Sequence, residues 1–378
     1  MNRQVQQSPL SVGNRVVIKV GSSLLVDAAT GTLNRPWLKS LVGEVVRLKK
    51  RGQQVMLVSS GAIALGRRYL NFRSDQRRLE EHQAAAAAGQ ILLAHAYQDL
   101  LDVHDIKVAQ VLLTPDDTEN RRRYLNARST LETLLGLGVV PIINENDTVA
   151  TEEIRYGDND RLAARVSEMT SADCLVLLSD VDGLYKADPA TTPGATLIPE
   201  IHEITAELEL ICGSSRTEYG SGGMATKLAA ARICMSAGCA TLIANGLQLD
   251  ALLAVENGGL CTWFLPNKTP LAARKQWIAG TLTTRGTLTI DAGAEHALSE
   301  GKSLLPVGVV AVDGQFGRGD AVSIKGSSGR ELGRGLAAYD SDEAQVIRGQ
   351  RSQDTEPLLG YRGRDEIIHR DNLVLLDG

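Results

Sequence analysis

The sequence predicts an α/β protein, a three-layer α/β/α sandwich with a mainly parallel central sheet, followed by a small β-rich barrel. Short runs of Val, Ile and Leu alternate with helical patterns through the first 265 residues. These runs are apolar on both faces, as strands of a parallel sheet covered by helices are. Near Thr281 the pattern changes, and from Arg285 onward short alternating strands and repeated glycines replace the long helices. That composition is typical of a small β domain.

The elements follow in chain order. The expected strands of the first part are Val16–Val20, Val55–Ser59, Val108–Leu113, Val139–Ile143, Cys174–Leu178 and Ala240–Ala244. The expected helices between them are Pro36–Lys50, Glu80–Leu101, Asn126–Leu137, Asn159–Met169 and Ala225–Ala237. In the second part we expect strands at Thr287–Asp291, Val307–Val312 and Ala321–Lys325. Alternation of strands and helices indicates a layered sandwich, and the alanine run Ala84–Ala88 favours close packing against a neighbour.

Length and composition limit the protein class. The chain has 378 residues, enough for two domains. We expect a first domain over residues 14–265, a linker over 266–284, a second domain over 285–363 and a C-terminal tail over 364–378. The net charge of −5 argues against broad binding to nucleic acid or to an anionic membrane. No apolar run approaches the ~18 residues that span a bilayer.

Cysteine usage and the N-terminus predict where the protein resides. The five cysteines form no CxxC pair, so buried thiols are the simplest interpretation. Residues 1–13 are polar and lack a hydrophobic signal segment. We therefore expect a reduced, cytoplasmic protein.

Two glycine-rich turns are suited to binding anions. The strand that contains Lys19 runs into Gly21-Ser22-Ser23, and Gly220-Ser221-Gly222-Gly223-Met224-Ala225-Thr226-Lys227 opens a helix. Such turns expose backbone N–H groups at the positive end of a helix, although a tight connection alone also needs glycine. A lysine in an apolar strand is unfavourable unless its ammonium reaches solvent or an anion, and a lysine at a helix start is unfavourable without an anionic partner. A polyphosphate bound by both lysines would explain why a lysine occupies each of these two positions. No segment fits the Walker A pattern.

A polar cluster lies between the two turns in sequence. Asn144-Glu145-Asn146-Asp147 follows a strand, at the sheet edge where open α/β sheets bind ligands. Asp158-Asn159-Asp160 begins a helix, so N-capping alone is one interpretation and a polar ligand pocket is the other. A cap needs one side chain, whereas this run supplies three. Ser60 follows another strand and offers a hydroxyl to the same edge.

Ser179-Asp180-Val181-Asp182-Gly183 ends a further strand. Asp180 could orient the two lysines or contact Mg²⁺, or it could simply form an Asx turn before Gly183. The six histidines are scattered without metal-ligand spacing, and no GxSxG motif of a serine hydrolase is present.

Several of these motifs together resemble the glutamate 5-kinases of the amino acid kinase superfamily. In order they are VIKVGSS, VSSGAIA, INEND, GDND, LSDVDGLY and GSGGMATK, and INEND with GDND is the more specific pair. Residues 301–306 and 316–320 resemble a PUA domain, as long members of that family carry. The sequence departs from the family in having Ser where Thr is frequent, at Ser22, Ser179 and Ser221, which keeps a hydroxyl at each position.

The resemblance implies ATP-dependent phosphorylation of the γ-carboxylate of L-glutamate, the first step of proline synthesis, with proline as feedback inhibitor. It implies Lys19, Lys227 and Asp180 as catalytic residues. It implies that Ser60, Asp147 and Asn159 bind glutamate, supported by Asn144, Asp158 and Asp160. The implied ATP ligands are Lys19, Gly21, Ser179, Asp180, Ser221, Gly222, Gly223, Met224, Ala225, Thr226 and Lys227. Mg²⁺ is expected to arrive with ATP, without an assigned protein ligand.

The physical chemistry agrees with a carboxylate kinase. A carboxylate is ionised at neutral pH, so the acceptor needs no general base, and positioning and charge neutralisation suffice. Two alternatives stay open: an amino acid kinase acting on aspartate or acetylglutamate, and RNA binding by the PUA domain. The second is disfavoured because residues 285–378 carry 11 Lys and Arg against 15 Asp and Glu. We also expect a homo-oligomer, a dimer or a tetramer.

Overall fold

The computed structural model describes residues 8–27, 29–72, 78–149, 159–189, 191–213, 223–280 and 283–376. The chain divides into two compact units, Met1–Pro270 and Leu271–Gly378. Among the described residues, no helix is long and apolar enough to cross a membrane.

The first unit is built on an eight-stranded sheet. Its strands are β1 Arg15–Val20, β2 Gln54–Ser59, β3 Val108–Leu113, β4 Val140–Glu145, β5 Cys174–Ser179, β6 Glu200–Ile201, β7 Ala240–Asn245 and β8 Cys261–Phe264. Their order is β3-β4-β2-β1-β5-β7-β8-β6, and neighbours are parallel except β7 and β8, which are antiparallel. The predicted, mainly parallel sheet is confirmed.

Helices cover both faces of this sheet. They are α1 Pro9–Val12, α2 Ser22–Leu25, α3 Arg35–Lys50, α4 Ala62–Tyr69, α5 Leu79–Asp102, α6 Pro115–Glu119, α7 Arg121–Gly136, α8 Asn159–Thr170, α9 Ala206–Gly213, α10 Met224–Ser236 and α11 Ala251–Glu256. Alternate residues of β1 enter two separate cores: Val16 and Ile18 join one with α3 and α5, and Val17 joins the other with α7, α8 and α10. This alternation is the pleat of a strand buried on both sides.

Two expected boundaries differ from the structure in ways that affect the site. Strand β4 extends to Glu145, so Asn144 lies inside the strand rather than after it. Helix α7 begins at Arg121, because the side chain of Asn120 accepts a hydrogen bond from the backbone N–H of Arg123 and caps it.

Helices α4 and α5 approach each other at backbone distance. A Cβ atom placed on Gly66 would lie 1.8 Å from the carbonyl oxygen of Ala85, and one on Gly89 would lie 1.7 Å from that of Ala62. Both positions therefore require glycine. The contact fixes the depth of α5 against α4, which begins directly after Ser60 and Gly61.

The second unit contains a five-stranded sheet in the order β10-β9-β11-β12-β13. Its strands are β9 Gly286–Ile290, β10 Val309–Gly314, β11 Ala321–Lys325, β12 Glu331–Leu336 and β13 Leu373–Leu375. Its helices are α12 Pro270–Gly280, α13 Ala292–Ser299, α14 Ser341–Ile347 and α15 Thr355–Leu359, with short 3₁₀ turns at Pro306–Gly308, Ser352–Asp354 and Arg370–Asn372. One apolar cluster that includes Leu288, Val322 and Tyr339 forms its core.

Two segments carry more structure than the sequence indicated. Residues 266–284, expected to be a linker, contain helix α12, whose Arg274 donates to the side chain of Asn372 at 2.7 Å. Residues 364–378, expected to be a tail, contribute β13, which pairs with β12, and Ile368, which forms a bridge with Leu304. These pairings add a last strand of three residues to the sheet, of which only Leu373 is buried.

Candidate active site

Two lysine ammonium groups converge on one buried carboxylate. Lys19 comes from β1 and Lys227 from the first turn of α10, and their side chains are almost fully buried. Asp160, in the first turn of α8, is 0% exposed. Its Oδ1 lies 2.6 Å from Nζ of Lys19, and its Oδ2 lies 3.3 Å from Nζ of Lys227. The hydroxyl of Thr226 donates to the same Oδ2 at 3.1 Å.

The ionisation of Asp160 is set by these partners. Burial acts to raise the pKa of its carboxyl, but the attraction of Lys19 and Lys227, with hydrogen bonds from Lys19 and Thr226, lowers that pKa below its usual value. Asp160 is therefore an anion at neutral pH. Two cations and one anion leave the cluster with a net positive charge, which suits a phosphate group.

On one side of this cluster lies a set of hydrogen-bonded amides. The side-chain amide of Asn159 donates to Oγ of Ser60 at 2.8 Å and to Oδ1 of Asn144 at 2.9 Å. The same Oδ1 of Asn144 accepts from the backbone N–H of Glu145 at 2.9 Å. Nδ2 of Asn144 donates to Oε1 of Gln90, on α5, at 2.9 Å. These groups lie at the carboxyl ends of β2 and β4 and at the start of α8, where open α/β sheets bind ligands.

On the other side lies a cavity of about 330 Å³. Ser179 and Asp180, at the end of β5, line it together with Gly223, Met224 and Lys227. Its remaining lining is largely apolar and comes from seven of the residues between Val181 and Pro189 and from Ile211. A cavity of this size, with an apolar wall and polar groups at one end, suits a nucleotide. Asp182, just outside it, accepts from Asn245 and Tyr185, each at 3.1 Å.

The structure brings most of the predicted residues together. Gly223 is the N-cap residue of α10, and Met224, Ala225, Thr226 and Lys227 form the first turn of that helix. Gly21 immediately precedes α2. Asp147 is half-buried in the turn after β4. Asp158, Ser221 and Gly222 lie outside the described residues.

Asp160 and Asp180 have different surroundings from those expected. We expected Asp160 to support substrate binding and Asp180 to orient the lysines or contact Mg²⁺. In the described part of the chain, the carboxylate that contacts both lysines is Asp160, whereas Asp180 accepts a hydrogen bond from the hydroxyl of Ser179 at 3.0 Å. Sequence spacing could not separate these roles, since neither motif shows which carboxylate faces the two lysines.

Sequence reasoning missed several polar residues beside the site. Gln90 is 7% exposed within an otherwise alanine-rich helix, and Tyr97 is fully buried with its hydroxyl 3.0 Å from Oγ of Ser59. Gln90 and Tyr97 could have been found in the sequence because each is a polar side chain on the inward face of α5. Among the residues that the structure describes, no group of three or more His, Cys, Asp and Glu side chains is placed to hold a metal ion.

Comparison with known proteins identifies the family. The family model of the amino acid kinases matches residues 14–245, and that of the PUA domain matches residues 286–359. A glutamate 5-kinase from Paramagnetospirillum magneticum is 60% identical over 97% of this chain and 99% of its own length. The chain belongs to the amino acid kinase family, among its glutamate 5-kinases. Within this family, the glutamate 5-kinase of Rhodospirillum rubrum is 58% identical over 95% of this chain and 96% of its own length.

Solved structures of related fold are more distant. Carbamate kinase from Giardia lamblia bound to AMP-PNP is 19% identical, with a TM-score of 0.49, covering 68% of this chain and 99% of that chain. UMP kinase from Ureaplasma parvum is 15% identical, with a TM-score of 0.47, covering 67% of this chain and 98% of that chain.

Proposed function

We propose that the protein transfers the γ-phosphoryl group of ATP to the γ-carboxylate of L-glutamate, forming L-glutamyl 5-phosphate and ADP for proline synthesis. The observation that carries the proposal is the pair of buried lysines held by Asp160 between an amide cluster and a nucleotide-sized cavity. The high identity to glutamate 5-kinases over nearly the whole chain supports this acceptor.

The reaction needs positioning and charge neutralisation. A γ-carboxylate oxygen of glutamate attacks the γ-phosphorus, and the bond between that phosphorus and the β–γ bridging oxygen breaks, leaving ADP. The nucleophile is already ionised, so no residue has to remove a proton. Lys19 and Lys227 neutralise the charge on the transferred group, and their burial strengthens that interaction. Asp160 holds both ammonium groups in place before ATP binds.

The amide cluster is assigned to the acceptor. The two N–H groups of Asn159 donate to Oγ of Ser60 and to Oδ1 of Asn144, so Asn159 orients Ser60, whose own hydroxyl hydrogen can then donate to a carboxylate of glutamate. Asn144 supports Asn159 through its Oδ1. Asp147 and Asp158 are proposed to bind the α-ammonium group, because an acidic side chain is the natural partner of that cation.

The cavity is assigned to ATP. Ser179, Asp180 and the residues from Ser221 to Lys227 are proposed to bind the nucleotide, with Gly21 at the phosphate end. Mg²⁺ usually keeps several waters and takes one or two carboxylates together with substrate phosphates, so Mg²⁺ carried by ATP does not require a cluster of three protein ligands. Asp180, which lines the cavity, is the carboxylate that would hold it there. Bound Mg²⁺ would supply further charge neutralisation.

The test is an ATP-dependent assay with hydroxylamine, which converts an acyl phosphate to a hydroxamate. We expect hydroxamate with glutamate and none with aspartate or N-acetylglutamate. Hydroxamate from either of those acceptors in preference to glutamate would reject the proposed substrate.

Three further assignments belong to the same proposal. Proline inhibition is expected to be competitive with glutamate, and non-competitive kinetics would place proline outside the acceptor site. A homo-oligomer, dimer or tetramer, is expected by light scattering. The second unit is not expected to bind structured RNA at physiological salt, which filter binding would measure.

A further inference from the structure

We propose that Gln90 is a positioning residue for the acceptor site, which orients Asn144 and through it Asn159. This inference rests on the assignment of the amide cluster to glutamate. Gln90 lies on the buried face of α5 and belongs to none of the motifs that carry the family resemblance.

The hydrogen-bond pattern fixes the direction of each amide. The backbone N–H of Glu145 can only donate, so the atom of Asn144 that faces it at 2.9 Å is Oδ1. Nδ2 of Asn144 therefore points to Gln90, and Gln90 has to present its oxygen. Because Asn144 Oδ1 also accepts from Asn159, the orientation of Gln90 is transmitted to the amide that contacts Ser60.

The backbone holds Gln90 in this place. Its neighbour Gly89 packs against the carbonyl of Ala62, which fixes the depth of α5. One face of α5 then supplies a polar contact to each of two adjacent strands, Gln90 to Asn144 at the end of β4 and Tyr97 to Ser59 at the end of β2. A rigid helix, rather than a loop, thus supports the acceptor amides, which keeps their geometry precise.

The hydrogen bond from Asn144 determines which amide atom of Gln90 faces the cluster. With its oxygen committed to Asn144, Gln90 keeps a buried Nε2 that has no hydrogen-bond partner within the described residues. An unpaired buried donor destabilises a folded protein. An apolar side chain of similar size would remove this unpaired donor but would leave the buried Nδ2 of Asn144 without its acceptor, so the glutamine is explained by the orientation that it gives to Asn144.

The test compares two buried glutamines of the first unit. Gln53 is 5% exposed, and its Nε2 donates to the carbonyls of Leu10 and Gly13, away from the amide cluster. We expect Gln90→Met to raise the KM for glutamate about tenfold, the effect of losing about one hydrogen bond, with the KM for ATP nearly unchanged. Gln53→Met should lower the Tm and leave both KM values unchanged. Should Gln90→Met fail to fold, Gln90→Asn carries the same test, because its amide is too short to reach Asn144.

A double variant tests the route through Asn144. If Gln90 acts through that residue, Gln90→Met combined with Asn144→Ala should have the glutamate KM of Asn144→Ala alone. The inference would be overturned if the two substitutions had additive effects on the glutamate KM. It would also be overturned if Gln90→Met left the glutamate KM unchanged or raised the KM values for glutamate and ATP equally. Wild-type protein that makes no glutamyl hydroxamate would instead reject the proposed function. Wild-type protein that makes it, with a Gln90→Met variant indistinguishable from it, would reject the role of Gln90 alone.

Discussion

Replacing Asp160 with asparagine tests the electrostatic design of the site. The substitution keeps the size of the side chain, so no cavity forms, but it removes the carboxylate charge that lies 2.6 Å from Nζ of Lys19 and 3.3 Å from Nζ of Lys227. Removing one partner of a buried ion pair costs roughly 3–5 kcal/mol, because the remaining charge stays buried and loses that attraction. We therefore expect the free energy of unfolding of the first unit to fall by about that amount.

The assay is urea unfolding of the full chain, followed by the fluorescence of Trp37 and Trp263, both in the first unit. Glu168→Gln is the matched control on the same helix: its carboxylate pairs with Arg165 at 2.9 Å, but both side chains are about one-third exposed. Such a surface pair contributes about 0–1 kcal/mol to the free energy of unfolding. If Asp160→Asn destabilises no more than this control, the reasoning that the buried carboxylate stabilises the two lysines is wrong.

The remaining predictions concern catalysis, acceptor binding and pH. Lys227→Ala should lower kcat roughly 100-fold with little change in the KM for glutamate, because its ammonium acts on the developing charge; a change in KM alone would contradict this role. Asp147→Ala should raise the KM for glutamate about tenfold in steady-state assays by removing a partner of the ammonium group, and an unchanged KM would refute that assignment. Burial raises the pKa of Glu44 to about 7, although the hydrogen bond from the backbone N–H of Leu253 and the charge of Arg47 both act to lower it. Because the unfolded chain ionises this group near pH 4.5, wild-type stability should fall as pH rises from 4.5 to 7. Glu44→Gln should match wild type in urea unfolding at pH 4.5 and exceed it at pH 8 by roughly 3 kcal/mol, whereas a difference independent of pH would show that Glu44 does not titrate in this range.

The central strands could be predicted because a strand that is buried on both faces consists mostly of apolar residues. Strand β1 is apolar on both faces, and Lys19 stands out there for that reason. Strand β12 was missed because its sequence contains Gly333 and Gly335. A Cβ atom on Gly333 would lie 2.3 Å from the carbonyl oxygen of Val374, and one on Gly335 would lie 2.6 Å from Cγ2 of Ile368. The need for glycine comes from a distant segment, which local patterns do not contain.

In the candidate site, too, features that depend on local sequence could be predicted and those that depend on distant segments could not. Both lysines were predicted, because a buried or helix-starting cation conflicts with its own surroundings. The contact between Asp160 and both lysines was not predicted, since the sequence does not show which way a side chain in the first turn of α8 points. Gln90 is 54 residues from Asn144 in the chain, and the distance between them is set by the packing of α5 on α4.

The sheet order has a consequence for how such a protein can diverge. Strands β2 and β4, whose ends place Ser60 and Asn144 in the proposed acceptor site, lie on one side of β1, and β5, which ends at the cavity proposed for the nucleotide, lies on the other. Lys19 stands on the strand between them. With this assignment, mutations can reshape the half proposed to select the acceptor without disturbing the half proposed to hold the nucleotide. An engineer seeking a new carboxylate substrate would vary positions at the ends of β2 and β4 and leave β1, β5 and the start of α10 intact.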